Sequence, residues 1–207
     1  MGAVLTQMGS CTFVLRPNRI RHHQILPDMS QVILYIATSL DGFIAKPDGN
    51  IDWLTSVPNP DTGDYGYAAL LDRIGTLIMG RKTYEEVLGF DMEWPYKGYD
   101  VYVVTTDKNL EIKSPSTYPL TDNLREFVTR LKRNNPKDIW LVGGGQLVTA
   151  FINQGLLDKM IISIVPKIIG GGIPLFPVGT LETEWKLVNT QAFSTGLVNL
   201  TYNRSIL

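Results

Sequence analysis

Residues 139–155, IWLVGGGQLVTAFINQG, constrain the fold more than any other stretch of the chain. A run of apolar residues typical of a buried strand leads into three consecutive glycines, and apolar residues at helical spacing follow. Glycine weakens regular structure, so three in a row indicate that something approaches the backbone closely at this point. The segment therefore predicts a strand, a glycine turn and a helix, which is the unit from which parallel sheets are built.

The same alternation extends over much of the chain. Apolar runs rich in β-branched residues predict strands at residues 31–38, 76–80, 100–106 and 138–142. Apolar residues at helical spacing predict helices at residues 67–75, 81–90, 121–135 and 146–155. Beyond residue 158 the pattern becomes a strand, a region rich in Pro and Gly, and a hairpin around residues 194–196. We expect a single α/β domain with a mixed, mainly parallel sheet, helices on both faces and an antiparallel C-terminal hairpin.

Histidine and cysteine are confined to the start of the chain. Cys11, His22 and His23 all precede Met29, which is a second plausible start. From there onward the sequence excludes a Ser-His-Asp or Cys-His nucleophile, a His/Cys zinc site and a disulfide. Chemistry must come from carboxylates, hydroxyls, Lys, Arg or a bound cofactor, and a reducing cytoplasm is the expected compartment.

Residues 1–28 are irregular and basic, and we expect them to be an extension that the fold at residues 29–207 does not need. A mitochondrial-type address is the alternative, because arginines are present and acids are scarce. The formal net charge of −1 predicts neither nucleic acid nor an anionic membrane as a partner. No apolar run approaches the roughly 20 residues needed to cross a bilayer.

Two strand-to-helix junctions carry residues suited to phosphate. Residues 143–145 are the three glycines, and residues 80–83 read GRKT. A helix N-terminus offers unpaired N–H groups and a partial positive charge, and the GRKT junction adds two cations and a hydroxyl. A tight turn and a solvated basic pair are the structural alternatives. The occurrence of such residues at two junctions favours two contacts to one polyphosphate ligand.

The order of the motifs resembles a known superfamily. LIMGRKTYE, IWLVGGGQL and VPKIIGGGIPLF are similar, in this order, to dihydrofolate reductases. IATSLDGFIA and FSTGLVNLTYNR are more similar to the C-terminal reductase domain of bifunctional riboflavin-biosynthesis deaminase-reductases. The resemblance runs from about residue 31 to residue 204 and implies a stand-alone domain with the dihydrofolate reductase-like fold.

The resemblance implies NADPH as the cofactor. It places residues 80–83 at the adenosine-side phosphates, with Arg81 selecting the 2′-phosphate, and raises a cis Gly143–Gly144 peptide beneath the pyrophosphate. The loop at residues 41–52 corresponds to a mobile active-site loop that excludes water during hydride transfer. The cofactor contacts implied by the resemblance are Ala37, Ile44, Gly80, Arg81, Lys82, Thr83, Thr105, Thr106, Gly143, Gly144, Gly145, Gln146 and Leu147.

Without histidine, a carboxylate is the expected group for moving a proton. Asp41, in the sequence SLDG, matches the aspartate that approaches nicotinamide and substrate in the riboflavin-type reductases. Asp64 lies before the first predicted helix, near the position of the pterin-binding acid of dihydrofolate reductases. A turn residue and a helix N-cap are the structural alternatives for the two acids. Trp53 is a candidate to stack on a flat heterocyclic substrate, with simple packing as its alternative.

The chain departs from the riboflavin-type pattern in its charge. Residues 41–67 contain five aspartates and a single cation, Lys46, which counts against a substrate that carries a ribose phosphate. The leading interpretation is an NADPH-dependent reductase of a pterin-like, pyrimidine-like or other conjugated small molecule. A non-catalytic NADPH-binding or sensor protein on the same fold is the alternative, and a purely structural role is the third. By analogy with relatives, we expect a homodimer formed through a sheet edge.

Overall fold

A computed structural model describes residues 30–60 and 62–205. The predictions made for residues 1–28 lie outside this part of the chain. The strands are β1 (Val32–Ser39), β2 (Phe43–Ala45), β3 (Ile74–Gly80), β4 (Asp100–Val104), β5 (Thr117–Leu120), β6 (Asp138–Gly143), β7 (Lys159–Val165), β8 (Ile173–Pro174), β9 (Trp185–Ala192) and β10 (Val198–Arg204). The helices are α1 (Asp52–Thr55), α2 (Tyr67–Leu71), α3 (Arg81–Leu88), α4 (Leu124–Asn134) and α5 (Gly145–Asn153).

Eight strands form one sheet in the order β5-β4-β3-β6-β1-β7-β10-β9. All pairs from β5 to β7 are parallel, and β10 is antiparallel to both β7 and β9. The mixed, mainly parallel sheet with an antiparallel C-terminal hairpin is therefore confirmed. Strands β2 and β8 form a separate antiparallel pair beside the carboxyl end of β1.

Each face of the sheet is covered by its own apolar cluster. Strand β1 alternates between them, with Val32 and Leu34 on one face and Ile33 on the other. The first face is packed by α4 and α5, and the second by α2, α3 and the segment around Trp94. Because both faces are covered, the central strands are buried almost throughout, as parallel strands require.

Three local predictions were wrong. Helix α2 ends at Leu71, and Ile74 begins β3 instead of closing the helix. Helix α4 begins at Leu124, where the side chain of Asn123 accepts the Glu126 N–H over 3.3 Å, rather than at residue 121. No strand was predicted at residues 117–120, yet they form β5 at the edge of the sheet. An edge strand tolerates Pro119, because one side of the strand is unpaired and proline has no N–H to donate.

Candidate active site

The two glycine-containing junctions lie side by side. Strands β3 and β6 pair in parallel with Met79 opposite Gly143, so α3 and α5 start from the same edge of the sheet. A Cβ atom added to Gly144 would lie 3.2 Å from Thr83 Oγ1, and one added to Gly80 would lie 3.9 Å from the Gly143 carbonyl oxygen. The fold thus brings together the two helix N-termini that the sequence singled out.

The three glycines have separate structural reasons. Gly143 and Gly144 have φ values of 137° and 87°, which side chains rarely adopt. Their peptide bond is trans, so the cis peptide expected from the resemblance is wrong, and the turn is made by the two positive φ angles instead. Gly145 is required for space, since a Cβ there would overlap the Pro174 carbonyl oxygen.

The first turn of α5 differs from expectation at one position. The Leu147 side chain is buried in the core, and its N–H donates to the Gly144 carbonyl oxygen over 2.9 Å. Leu147 therefore has no polar group left for a ligand, whereas the Gln146 side chain is exposed. The first helical N–H groups, at residues 145 and 146, have no partner within the helix.

Arg81 is held by two carboxylates. Its Nε donates to Glu85 Oε1 over 2.6 Å, and its Nη1 donates to Asp107 Oδ2 over 2.9 Å. Glu85 foremost, and then Asp107, raises the pKa of Arg81, whose side chain remains about half exposed. The neighbouring Lys82 is exposed and forms no ion pair within the described part of the chain.

The loop after β4 meets the start of α3 through this ion pair. Thr105 Oγ1 accepts the Asp107 N–H over 3.0 Å, and Thr106 is exposed beside it. The structure thus places Thr105 and Thr106 next to residues 80–83, since Val104 lies opposite Gly80 in the parallel pair of β3 and β4. Sequence reasoning missed Asp107 and Glu85, although the four-residue spacing of Arg81 and Glu85 is a recognisable helical pair.

The two candidate acids are both tied to backbone N–H groups. Asp41 Oδ1 and Oδ2 accept from the N–H groups of Ile169 and Gly170 over 3.2 and 2.8 Å. Hydrogen bonding by Ser39 foremost, and then by these backbone groups, lowers the pKa of Asp41. Its exposed carboxyl is therefore ionised at neutral pH. It lies at the carboxyl end of β1, beyond Ala37.

Asp64 lies just before α2, two residues ahead of its N-cap, Gly66. Its Oδ1 accepts the Gly66 N–H over 3.0 Å and its Oδ2 accepts the Ala68 N–H over 2.8 Å. These two backbone hydrogen bonds lower the pKa of Asp64. Asp64 is therefore not the N-cap that the structural alternative expected, but both of its oxygens are engaged by backbone N–H groups at the start of α2. A negative charge is stabilising at this end of a helix.

The positions expected at the nicotinamide differ in their surroundings. Ala37, on β1, packs in a small cluster with Trp53, Val165 and Leu197. Ile44, on β2, packs against the cluster that contains α5. Trp53 is only 5% exposed, so neither face of its ring is open for stacking, and its Nε1 has no hydrogen-bond partner among the described residues.

A second cation reaches the loop that carries the aspartates. Lys46 pairs with Asp52 over 2.8 Å, which neutralises the cation found in the sequence. Lys167, beyond the end of β7, donates from its Nζ to Ser56 Oγ over 2.7 Å. Sequence reasoning missed Lys167 because it lies 111 residues from Ser56 along the chain.

Two further features are absent from residues 30–60 and 62–205. No three His, Cys, Asp or Glu side chains are grouped so as to hold a metal ion. No helix in this part is long and apolar enough to span a bilayer.

Comparisons with known proteins agree with this architecture. Residues 30–199 match the RibD C-terminal domain family. The uncharacterized protein YwjB of Bacillus subtilis (strain 168) is 38% identical over 175 residues, which cover 84% of this chain and 98% of that protein. The crystal structure of a protein named for riboflavin biosynthesis, from Shewanella sp. PV-4, gives a TM-score of 0.76 at 33% identity and covers 85% of this chain and 99% of that one.

The fold is also that of a dihydrofolate reductase. The enzyme from Enterococcus faecalis, in complex with NADP(H), gives a TM-score of 0.62 at 17% identity, covering 85% of this chain and 97% of that one. The resemblance drawn from the sequence motifs is thereby confirmed at the level of fold and family. The chain has the dihydrofolate reductase-like fold and belongs to the RibD C-terminal domain family.

Proposed function

We propose that the protein is an NADPH-dependent reductase of a small heterocyclic substrate. The observation that carries this proposal is the convergence of the α3 and α5 N-termini at one sheet edge, with Arg81 and Lys82 beside them. Family and fold support a reductase-type function in general. NADPH dependence, hydride transfer and the substrate class go beyond this general function, and they are part of our proposal.

The residues present fit a dinucleotide phosphate. Residues 80–83 and 143–146 offer backbone N–H groups at helix starts, and the glycines leave the backbone uncovered. Arg81 and Lys82 supply charge for the phosphate of the adenosine ribose, while Thr105 and Thr106 line the adenosine side. When bound, the cofactor supplies the hydride, and the protein supplies orientation and a proton route.

At the other end, the chain supplies Asp41. Because its carboxyl is ionised at neutral pH, Asp41 assists the proton step by accepting hydrogen bonds rather than by giving up a proton of its own. Its two oxygens accept from the N–H groups of Ile169 and Gly170 and from Ser39, and a carboxylate offers about four acceptor positions, so a further donor can still bind. Asp64 remains the alternative for this role, although both of its oxygens accept backbone N–H groups at the start of α2.

A non-catalytic NADPH-binding protein is the second candidate. It is favoured by one observation, namely that Asp41 and Asp64 are both engaged by backbone N–H groups and neither is a free acid. NADPH oxidation in the presence of dihydrofolate and pyrimidine compounds separates the two functions. Turnover that falls at least tenfold in Asp41→Asn supports the reductase, and binding without any turnover supports the second candidate.

Titration with NADPH and NADH, followed by nicotinamide fluorescence, tests the cofactor site. We expect micromolar affinity for NADPH, weaker binding of NADH, and loss of that preference in Arg81→Ala. Arg133→Ala is the matched control, since Arg133 is exposed on α4, away from both junctions. Failure of the wild type to bind either nucleotide would rule out the proposed function.

A further inference from the structure

Three strands align a row of side chains on one face of the sheet. Ala37 of β1 lies opposite Ser163 of β7, which in turn lies opposite Asn199 of β10. Ser163 and Asn199 are 5% and 6% exposed. The hydroxyl of Tyr35, two residues before Ala37 on β1, donates to the Tyr65 carbonyl oxygen over 3.3 Å. The row begins at Ala37, one of the two positions that the resemblance places beside the nicotinamide.

Two aromatic residues cover this row. Trp53 of α1 packs with Ala37, Val165 and Leu197. Tyr65, before α2, is in the same cluster and accepts, through its carbonyl oxygen, the Asn199 Nδ2 hydrogen bond over 2.6 Å. Apart from Tyr35 and Ser163, the side chains that pack in this cluster are apolar. The row and its cover therefore enclose a polar patch within an apolar cluster.

Three polar atoms in this enclosure have no hydrogen-bond partner among the described residues. They are Trp53 Nε1, Tyr65 Oη and Asn199 Oδ1. Buried polar groups are nearly always paired, because leaving one unpaired costs about 1–3 kcal/mol. One such atom is an ordinary exception, but three around a single cluster indicate a group that the protein itself does not provide.

The chemistry of the three atoms specifies that group. Since Asn199 Nδ2 is committed to the Tyr65 carbonyl, Oδ1 is the free atom and can only accept. Trp53 Nε1 can only donate, and Tyr65 Oη can do either. A matching ligand therefore presents an N–H to Asn199 and a carbonyl oxygen to Trp53. The apolar walls, formed by Val165, Leu197 and Phe193, favour an uncharged ligand at this point.

We propose that Asn199 and Trp53 determine substrate specificity by reading the N–H and C=O of an uncharged lactam edge, with Tyr65 as a third contact. This inference rests on the proposed function, because it places the lactam next to the reducing position above Ala37. The three atoms are sealed, so the segment that carries Trp53 and Tyr65 has to shift when the ligand enters. Buried polar groups left unpaired by the wrong ligand give strong discrimination.

Calorimetric titration of the full chain with lumazine and with 1,3-dimethyllumazine tests the inference. The second compound replaces both amide N–H groups by N–CH₃ and retains the carbonyls. We expect wild type to bind lumazine at least tenfold more tightly, and Asn199→Ala to reduce that preference to less than threefold. Trp53→Phe and Tyr65→Phe remove only the polar atom and should weaken lumazine binding severalfold.

Two matched controls accompany these variants. Trp94→Phe removes another buried, unpaired Nε1, but one that lies among Tyr84 and Tyr96 on a different part of the sheet. Asn203→Ala removes an exposed amide from the same strand, β10. Both controls should keep the wild-type preference. The ratio of the two dissociation constants is measured on one preparation, so it does not depend on the folded fraction of the protein. If Asn199→Ala fails to fold, Trp53→Phe and Tyr65→Phe still test the inference.

Each outcome decides the inference. Equal affinity for the two compounds, no binding of either, or an unchanged preference in Asn199→Ala and Trp53→Phe would overturn it. The NADPH titration on the same preparations separates the two proposals. Tight NADPH binding without a lactam preference defeats this inference alone, whereas a lactam preference without NADPH binding defeats the proposed function and leaves a lactam-binding protein.

Discussion

Arg81 and Asp107 form an ion pair of 2.9 Å that joins the start of α3 to the loop after β4. A carboxylate therefore stands beside the cation that we assign to the 2′-phosphate. The anion and the phosphate would compete for the same guanidinium, and they would repel each other at short range. The pair is about 40% exposed on each side, so its contribution to stability is small and its influence on ligand charge is the larger effect.

Removing the carboxylate should strengthen NADPH binding. We expect Asp107→Asn to lower the NADPH dissociation constant about three- to tenfold and to change that of NADH less than twofold, because only NADPH carries the 2′-phosphate. Fluorescence titration measures both constants. Asp91→Asn, which removes an exposed acid beyond the C-terminal end of α3, controls for net charge. Weaker NADPH binding in Asp107→Asn would mean that Asp107 orients Arg81 rather than competing for it.

The third glycine of the turn is a packing position. A methyl group at Gly145 would overlap the Pro174 carbonyl oxygen, so Gly145→Ala should lower the free energy of unfolding by about 2 kcal/mol. Gly63→Ala is the control, since it has open space around its Cβ position and no positive φ. Urea denaturation followed by circular dichroism measures the difference. Equal stability of the two variants would show that the backbone near residue 174 yields freely.

Asp41 should contribute to stability only above acid pH. Its pKa is lowered in the folded state, chiefly by Ser39, so the contribution is complete above the unfolded value of about 3.9 and is lost as pH falls through the folded pKa. Asn resembles the protonated carboxyl. We therefore expect Asp41→Asn to lower the melting temperature at pH 7, with the difference disappearing near pH 2. Asp91→Asn, which removes one exposed carboxylate elsewhere, is the control for the change in net charge. A constant difference at every pH would exclude the ionised carboxylate as the cause.

The edge strand β9 offers a surface for the homodimer that we propose by analogy. Leu187 and Val188 are 48% and 46% exposed on opposite faces of this last strand of the sheet. Light scattering after gel filtration should give a dimer for wild type and a monomer for the double variant Leu187→Lys, Val188→Lys. Met92→Lys changes an equally exposed apolar residue far from β9 in sequence and should remain dimeric. A dimer that survives the double variant would place the interface elsewhere.

Local patterns were sufficient to find the side of the site that we propose for the cofactor. The GRKT and GGG junctions are readable because strand, glycine and helix follow one another within a dozen residues, and parallel pairing brings such junctions to one edge. The same local reasoning misplaced Ile74, which fits the apolar spacing of α2 but begins β3. Apolar spacing alone does not separate the end of a short helix from the start of a buried strand.

The enclosed polar patch could not be found in this way. Asn199 and Tyr65 are 134 residues apart, and they meet only because β10 joins the sheet beside β7. Nothing near Asn199 in sequence distinguishes it from other polar residues of an alternating strand. The burial of the Asn199 side chain and its single hydrogen bond can be seen only in the folded structure.

Pro174 links the start of α5 to strand β2. Its carbonyl oxygen lies against Gly145, while its backbone pairs with Phe43 of β2. The next residue, Leu175, donates its N–H to the Gly42 carbonyl oxygen over 3.0 Å. Any outward movement of residues 42–45 has to break these links or pull on the start of α5. A dinucleotide bound at the start of α5 would therefore fix the position of residues 42–45 before the second reactant binds. This predicts compulsory-order kinetics in which the nucleotide binds first.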